Sequence, residues 1–174
     1  MNHFIAFIAL VGFILSLVVH ISALFGIDFS DHLPFILVLT IGVFVIYAPF
    51  VISSQIHLGE RPKFSKIRDS FPNWVIVIGI AIFIYMFINF VLVMVATEGG
   101  SPDIWNDKYV LHSHGTLIRE LTQAEYSFFK ANEIRGLSGH LLFFYFIPFA
   151  YFKFRKKSNL PLNSDAPKNN MLVS

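Results

Sequence analysis

The chain has 174 residues, enough for one domain, of which 55% are hydrophobic and 14% charged, with 21 Phe among them. A soluble domain carries about 25% charged residues and could not hide so many phenyl rings, which argues against a soluble globular protein. Net charge is +2 with the basic residues gathered in loops, which argues against a nucleic-acid partner, and the lack of Cys removes disulfides, thiolate chemistry and Cys-ligated metal sites.

Met1-Asn2-His3 has no basic flank, and the apolar run Phe4–Phe25 is longer than the core of a signal peptide. It is predicted to be a retained first span. Crossing a hydrocarbon core takes about 20 helical residues. Leu33–Ser53 and Trp74–Thr97 meet that length without a charge, as Phe4–Phe25 does. The fourth apolar run, Leu137–Phe152, is short, so its helix is expected to begin earlier. Thr122-Gln123-Ala124-Glu125 has the form of a capping box, in which hydroxyl and carboxylate satisfy the first free amides. That helix is predicted to start near Gln123, lie in the interface, and dive inward around Gly136 or Gly139, with a kink at Pro148.

Between the third and fourth spans, Glu98–Pro102 reads as a flexible lead-in. Lys108–His112 and Thr116–Leu121 then read as two short strands around Ser113-His114-Gly115, a hairpin resting on the start of the fourth helix. The tail, residues 158–174, is rich in Pro, Asn and Ser and is expected to be disordered. The fold class is thus an all-α integral membrane protein, a four-helix transmembrane bundle over residues 1–157 with a small β-hairpin insert in 98–136.

The loop charges orient it. The second loop carries Arg61, Lys63, Lys66 and Arg68, and the last span is followed by Lys153, Arg155, Lys156 and Lys157. The first loop has Asp28 and Asp31 and no base, while residues 98–135 hold six acids against four bases. Basic loops stay cytoplasmic, so both termini are expected inside and the hairpin outside, in a bacterial inner membrane. The basic loop Gly59–Arg68 is read first as this topology signal, and second as a contact for anionic lipid or a partner.

An ionisable side chain inside a membrane is a functional candidate by default. His20 in the first span and His140 in the fourth are the two such positions, both in the outer half. Asn89, with Tyr85 one turn before it, shares their depth. Ala9, Gly12, Ser16, His20 and Ala23 recur at helical spacing, so His20 faces the bundle with Ser16 as its local hydrogen-bond partner. Glu133, Gly136 and His140 share another face. His112 and His114 project to one side of an extended chain, and His32 lies in the other outer loop.

Three uses follow. His112, His114 and His140 with Glu133 offer nitrogen and carboxylate ligands suited to zinc or copper. His20 and His140 offer two axial imidazoles to a haem b between helices. The simpler reading, which we adopt, is that His20 and His140 bond Ser16, Asn89 or water and brace the bundle. Ser138-Gly139-His140 places a hydroxyl near an imidazole, but residues two apart on a helix do not face each other. No nucleophile elbow, phosphate-binding glycine loop or inverted repeat is present. The expected function is therefore interaction, as an accessory, assembly or immunity-type protein with a protein partner or a second copy in the lipid bilayer. The alternative is a metal- or haem-binding redox or sensing protein.

Overall fold

The structure is a computed structural model that describes residues 2–27 and 33–156. The expectations for Asp28, Asp31, His32, Lys157 and the tail concern residues outside that range. The elements in chain order are α1 (Asn2–Leu24), α2 (Leu33–Leu58), α3 (Phe64–Ser70), α4 (Asn73–Ala96), β1 (Ser101–Trp105), β2 (Lys108–Ser113), β3 (Thr116–Glu120) and α5 (Gln123–Phe154). Four of these helices, α1, α2, α4 and α5, are long and apolar enough to cross a membrane.

The fourth of them departs from expectation. α5 is one continuous helix of 32 residues, with Pro148 inside it and no break at Gly136 or Gly139. At about 1.5 Å per residue it measures roughly 48 Å. The two glycines mark close approach to α4 instead of bends. A Cβ at Gly136 would lie 3.3 Å from Val93, and one at Gly139 would lie 2.5 Å from Asn89 Nδ2. The predicted cap is present at the helix start. The Glu125 amide donates to Thr122 Oγ1 at 3.2 Å and the Thr122 amide donates to Glu125 Oε2 at 2.8 Å.

α5 is the hub, because α1, α4 and α2 all pack on it while α2 and α4 meet chiefly through it. The α1 face foreseen from spacing is the buried one, comprising Ala6, Ala9, Gly12, Ser16, Val19, His20 and Ala23. Small residues there let the backbones close on each other. Tyr145 of α5 uses the space this leaves. Its ring sits against Gly12 of α1 and its hydroxyl against Gly42 of α2. The hydroxyl donates to the Leu39 carbonyl at 2.6 Å, so one side chain joins three helices.

The insert is a three-stranded antiparallel sheet in the order β1-β2-β3, not a two-stranded hairpin. The third strand, β1, overlaps the end of the stretch read as a lead-in and runs on to Trp105, with Pro102 opposite Leu111 and Ile104 opposite Tyr109. Two-residue turns join the strands, Asn106-Asp107 and His114-Gly115, and all four residues have positive φ. Asn, Asp and Gly tolerate that conformation, which matches the twist of paired strands. Leu111, Leu121 and Phe129 form a small core that seats the sheet on α5, as expected of the hairpin. The basic loop also contains an element that was not foreseen, the short helix α3. The Lys156 amide donates to the Ser70 carbonyl at 2.9 Å, which ties the end of α3 to the end of α5. The bundle thus has a sheet end and a basic end.

Candidate functional site

His20, Asn89 and Ser138 are 2%, 0% and 1% exposed, so the polar candidates from α1, α4 and α5 are brought together inside the bundle near its sheet end. Gly139 makes the meeting possible. Its missing side chain leaves room for both Asn89 and His20, whose Cε1 lies 3.4 Å from where a Cβ would stand.

Both ring nitrogens of His20 are engaged. Nδ1 lies 3.0 Å from Ser138 Oγ, and Nε2 lies 2.5 Å from the Tyr85 hydroxyl. Ser138 already donates its hydroxyl hydrogen to the Ile134 carbonyl at 2.7 Å. Hydrogen positions are therefore assigned as follows: His20 Nδ1–H donates to Ser138 Oγ, and the Tyr85 O–H donates to Nε2. His20 is then a neutral imidazole with neither nitrogen left over. Ser16 does not act as its partner, since the serine Oγ is buried with no hydrogen-bond partner among the described residues. Its role is the small volume that lets α1 approach α5.

Asn89 is equally committed. It donates through Nδ2 to the Arg135 carbonyl at 3.2 Å and accepts from Arg135 Nε at 2.9 Å. Arg135 and Ser138 were not foreseen as members of this cluster. A signal for Ser138 was present, because Ile134, Ser138, Leu141 and Tyr145 recur at helical spacing and all are buried. Arg135 counts in the sequence only as one of the four bases between the third and fourth spans, and its bond to Asn89 depends on how α5 packs on α4.

A serine hydroxyl 3.0 Å from an imidazole is the spacing of a nucleophile and its base. Here the serine is sealed, and its proton is held by a backbone carbonyl. The pair links α1 to α5 out of contact with solvent.

His140 and Glu133 lie apart from this cluster. His140 Nδ1–H donates to the Gly136 carbonyl of its own helix at 2.8 Å, and its ring stands edge-on to Phe90 with centroids 6.0 Å apart. It follows Gly139 by one residue, a rotation of about 100° around the helix, so it points away from His20. The two imidazoles take separate partners, His20 on Ser138 and Tyr85 and His140 on its own helix. Glu133 accepts from Lys130 Nζ at 3.2 Å.

The zinc or copper site built from His112, His114, His140 and Glu133 does not assemble. His112 is on β2, 3.9 Å from Asp103 and packed against the Trp105 ring. His114 is exposed and sits in the turn at φ 50°, where the strand alternation meant to align it with His112 has ended. Among the described residues no three His, Asp or Glu lie close enough together to hold a metal ion.

A second polar centre secures the sheet. Arg119 of β3 donates to Glu98 after α4 and to Glu125 in the first turn of α5, each at 2.8 Å, and its guanidinium lies 5.8 Å from the centre of the Phe129 ring. The hydrogen bond from Arg119 holds the Glu98 carboxyl below the usual carboxylate range. The two acids in turn push the Arg119 guanidinium up.

No protein-family model, curated protein or solved structure matches this chain.

Proposed function

We propose that this chain is an integral membrane protein crossing an inner membrane four times, with both ends cytoplasmic, and that it works by holding a protein partner at its outer sheet. Three points support the placement. Four helices have the needed length and apolarity. Arg61, Lys63, Lys66, Arg68, Lys153, Arg155 and Lys156 gather at one end of the bundle and the sheet lies at the other. Basic segments of this kind are retained on the cytoplasmic side.

The observation that carries the interaction reading is the exposure of Ile104, Trp105, Leu117 and Ile118 on the sheet, at 55%, 54%, 43% and 43%. Four exposed apolar side chains on one small sheet are a candidate contact surface. The buried His20, Asn89 and Ser138, by contrast, are bonded to groups of the neighbouring helices, as bracing groups are. An accessory, assembly or immunity-type role fits both features.

A photo-crosslinking side chain placed at Trp105 or Ile118 tests this in intact membranes. The expected result is one discrete protein adduct shared by both positions and lost when Ile104 is replaced by Ser. Adducts with lipid alone, or a heterogeneous smear at both positions, would overturn it. So would a folded preparation that carries stoichiometric haem or metal.

A further inference from the structure

α2 and α4 leave a gap between them at the basic end of the bundle. It is a groove of about 560 Å³ with α5 as its floor and α3 across its end, lined by side chains that include Phe50, Phe64, Ile67, Phe83 and Phe146. Gly79 belongs to the wall, and its missing side chain keeps the groove open over Phe146. The volume lies within the range of small-molecule sites, about 300–1,000 Å³.

We propose that this groove holds an acyl chain of one anionic glycerophospholipid, whose phosphate is taken by the basic residues around α3. It goes beyond the partner proposal and shares with it only membrane insertion. Depth and charge identify the occupant. On α4 the lining runs from Val75 to Phe83. Eight residues at about 1.5 Å each give roughly 12 Å, close to the depth of a single leaflet of a hydrocarbon core about 30 Å thick. A helix from another protein would need a groove twice as deep. Polar lining is confined to the end near α3, where Ser54, Gln55 and Glu60 stand, so the occupant has one polar end.

That end is strongly basic. Residues 59–70 and 153–156 hold seven basic side chains, Arg61, Lys63, Lys66, Arg68, Lys153, Arg155 and Lys156, against Glu60 and Asp69. Asp69 pairs with Arg68 at 3.5 Å and stands outside the lining, in which Glu60 is the one carboxylate. Lys63 and Lys66 are exposed and neighbour the lining residues Phe64 and Ile67 in sequence. α3 is thereby amphipathic, with apolar residues in the groove and ammonium groups at the level of lipid phosphate.

Trp74, next to lining residue Val75, is the reporter once Trp105 is changed to Phe. The protein is reconstituted in phosphatidylcholine vesicles containing a minor fraction of either brominated phosphatidylglycerol or brominated phosphatidylcholine, and quenching of Trp74 is titrated. Brominated phosphatidylglycerol is expected to bind more tightly than brominated phosphatidylcholine by on the order of tenfold. The Lys63→Gln, Lys66→Gln double variant, altered only at exposed positions, brings that ratio near one. Gly79→Leu, which fills the groove, removes site-specific quenching by both lipids while far-UV circular dichroism stays unchanged. Equal quenching in the parent protein overturns the proposal, and so does a preference that survives the lysine changes. A preference that survives Gly79→Leu also overturns it, since headgroup attraction would then need no groove.

Discussion

Tyr145 is the point at which α1, α2 and α5 depend on one another, and removing the room it occupies gives a quantitative test. It is 3% exposed, and a Cβ added at Gly12 would fall on its ring, not on the far end of a flexible chain. Forcing extra volume into a packed core costs about 1–3 kcal/mol, and the rigid neighbour places Gly12→Ala at about 2. Tyr145→Ala leaves a cavity and costs about 3–5 kcal/mol. Tyr145→Phe removes only the bond to Leu39 and costs about 0.6 kcal/mol, typical of such bonds between membrane helices. With the ring gone, the three atoms nearest to a methyl at position 12 are removed. The Gly12→Ala, Tyr145→Ala double variant should therefore be about 2 kcal/mol more stable than the sum of the single effects, well outside the ~0.5 kcal/mol of independent sites. Unfolding by sodium dodecyl sulfate in mixed micelles, followed by far-UV circular dichroism, measures the parent and all four variants. Additive effects would refute the interlock. Gly136→Ala provides scale, because its Cβ would be 3.3 Å from a Val93 methyl that can shift, and it should cost less than about 1 kcal/mol.

The polar cluster predicts an order of severity: His20→Asn, which can still bond Ser138, loses about 0.6 kcal/mol per bond, while Asn89→Leu strands the Arg135 Nε–H and costs about 2–4 kcal/mol in the same unfolding assay. At the sheet, a Glu98 carboxyl held below its usual range contributes stability that is complete above that range and fades as pH falls through the depressed value. Amide exchange across β3, corrected for its intrinsic rate, should accelerate on acidification, and Glu98→Gln should flatten that step. The orientation is accessible because the chain has no Cys. In intact cells a membrane-impermeant maleimide should label Thr116→Cys and spare Ser65→Cys, and the reverse pattern would invert the topology.

Much of the architecture was legible because it rests on local rules. Runs such as Phe4–Phe25 are long and without charge, Thr122 and Glu125 stand at capping-box spacing, and Gly12, Ser16 and His20 recur on one helical face. Each of these follows from the period of a helix or from its unpaired terminal amides, both properties of neighbouring residues. β1 was missed because Ser101–Trp105 is short and carries Pro102, which cannot donate to a ladder; its strand character comes from pairing with β2 across the Asn106-Asp107 turn.

What only tertiary structure decided was which polar groups meet. His20, Tyr85, Ser138, Asn89 and Arg135 are spread over more than a hundred positions, and the packing of α1 and α4 on α5 at Gly139 selects them. The same packing turns His140 away, one residue along, and the turn at His114 separates it from His112. Sequence alone placed His20 and His140 at a similar depth near one end of the bundle, because depth along a helix is a count of residues. Whether they face one another depends on how three separate helices are rotated, and the contacts that set those rotations involve residues distant in the chain.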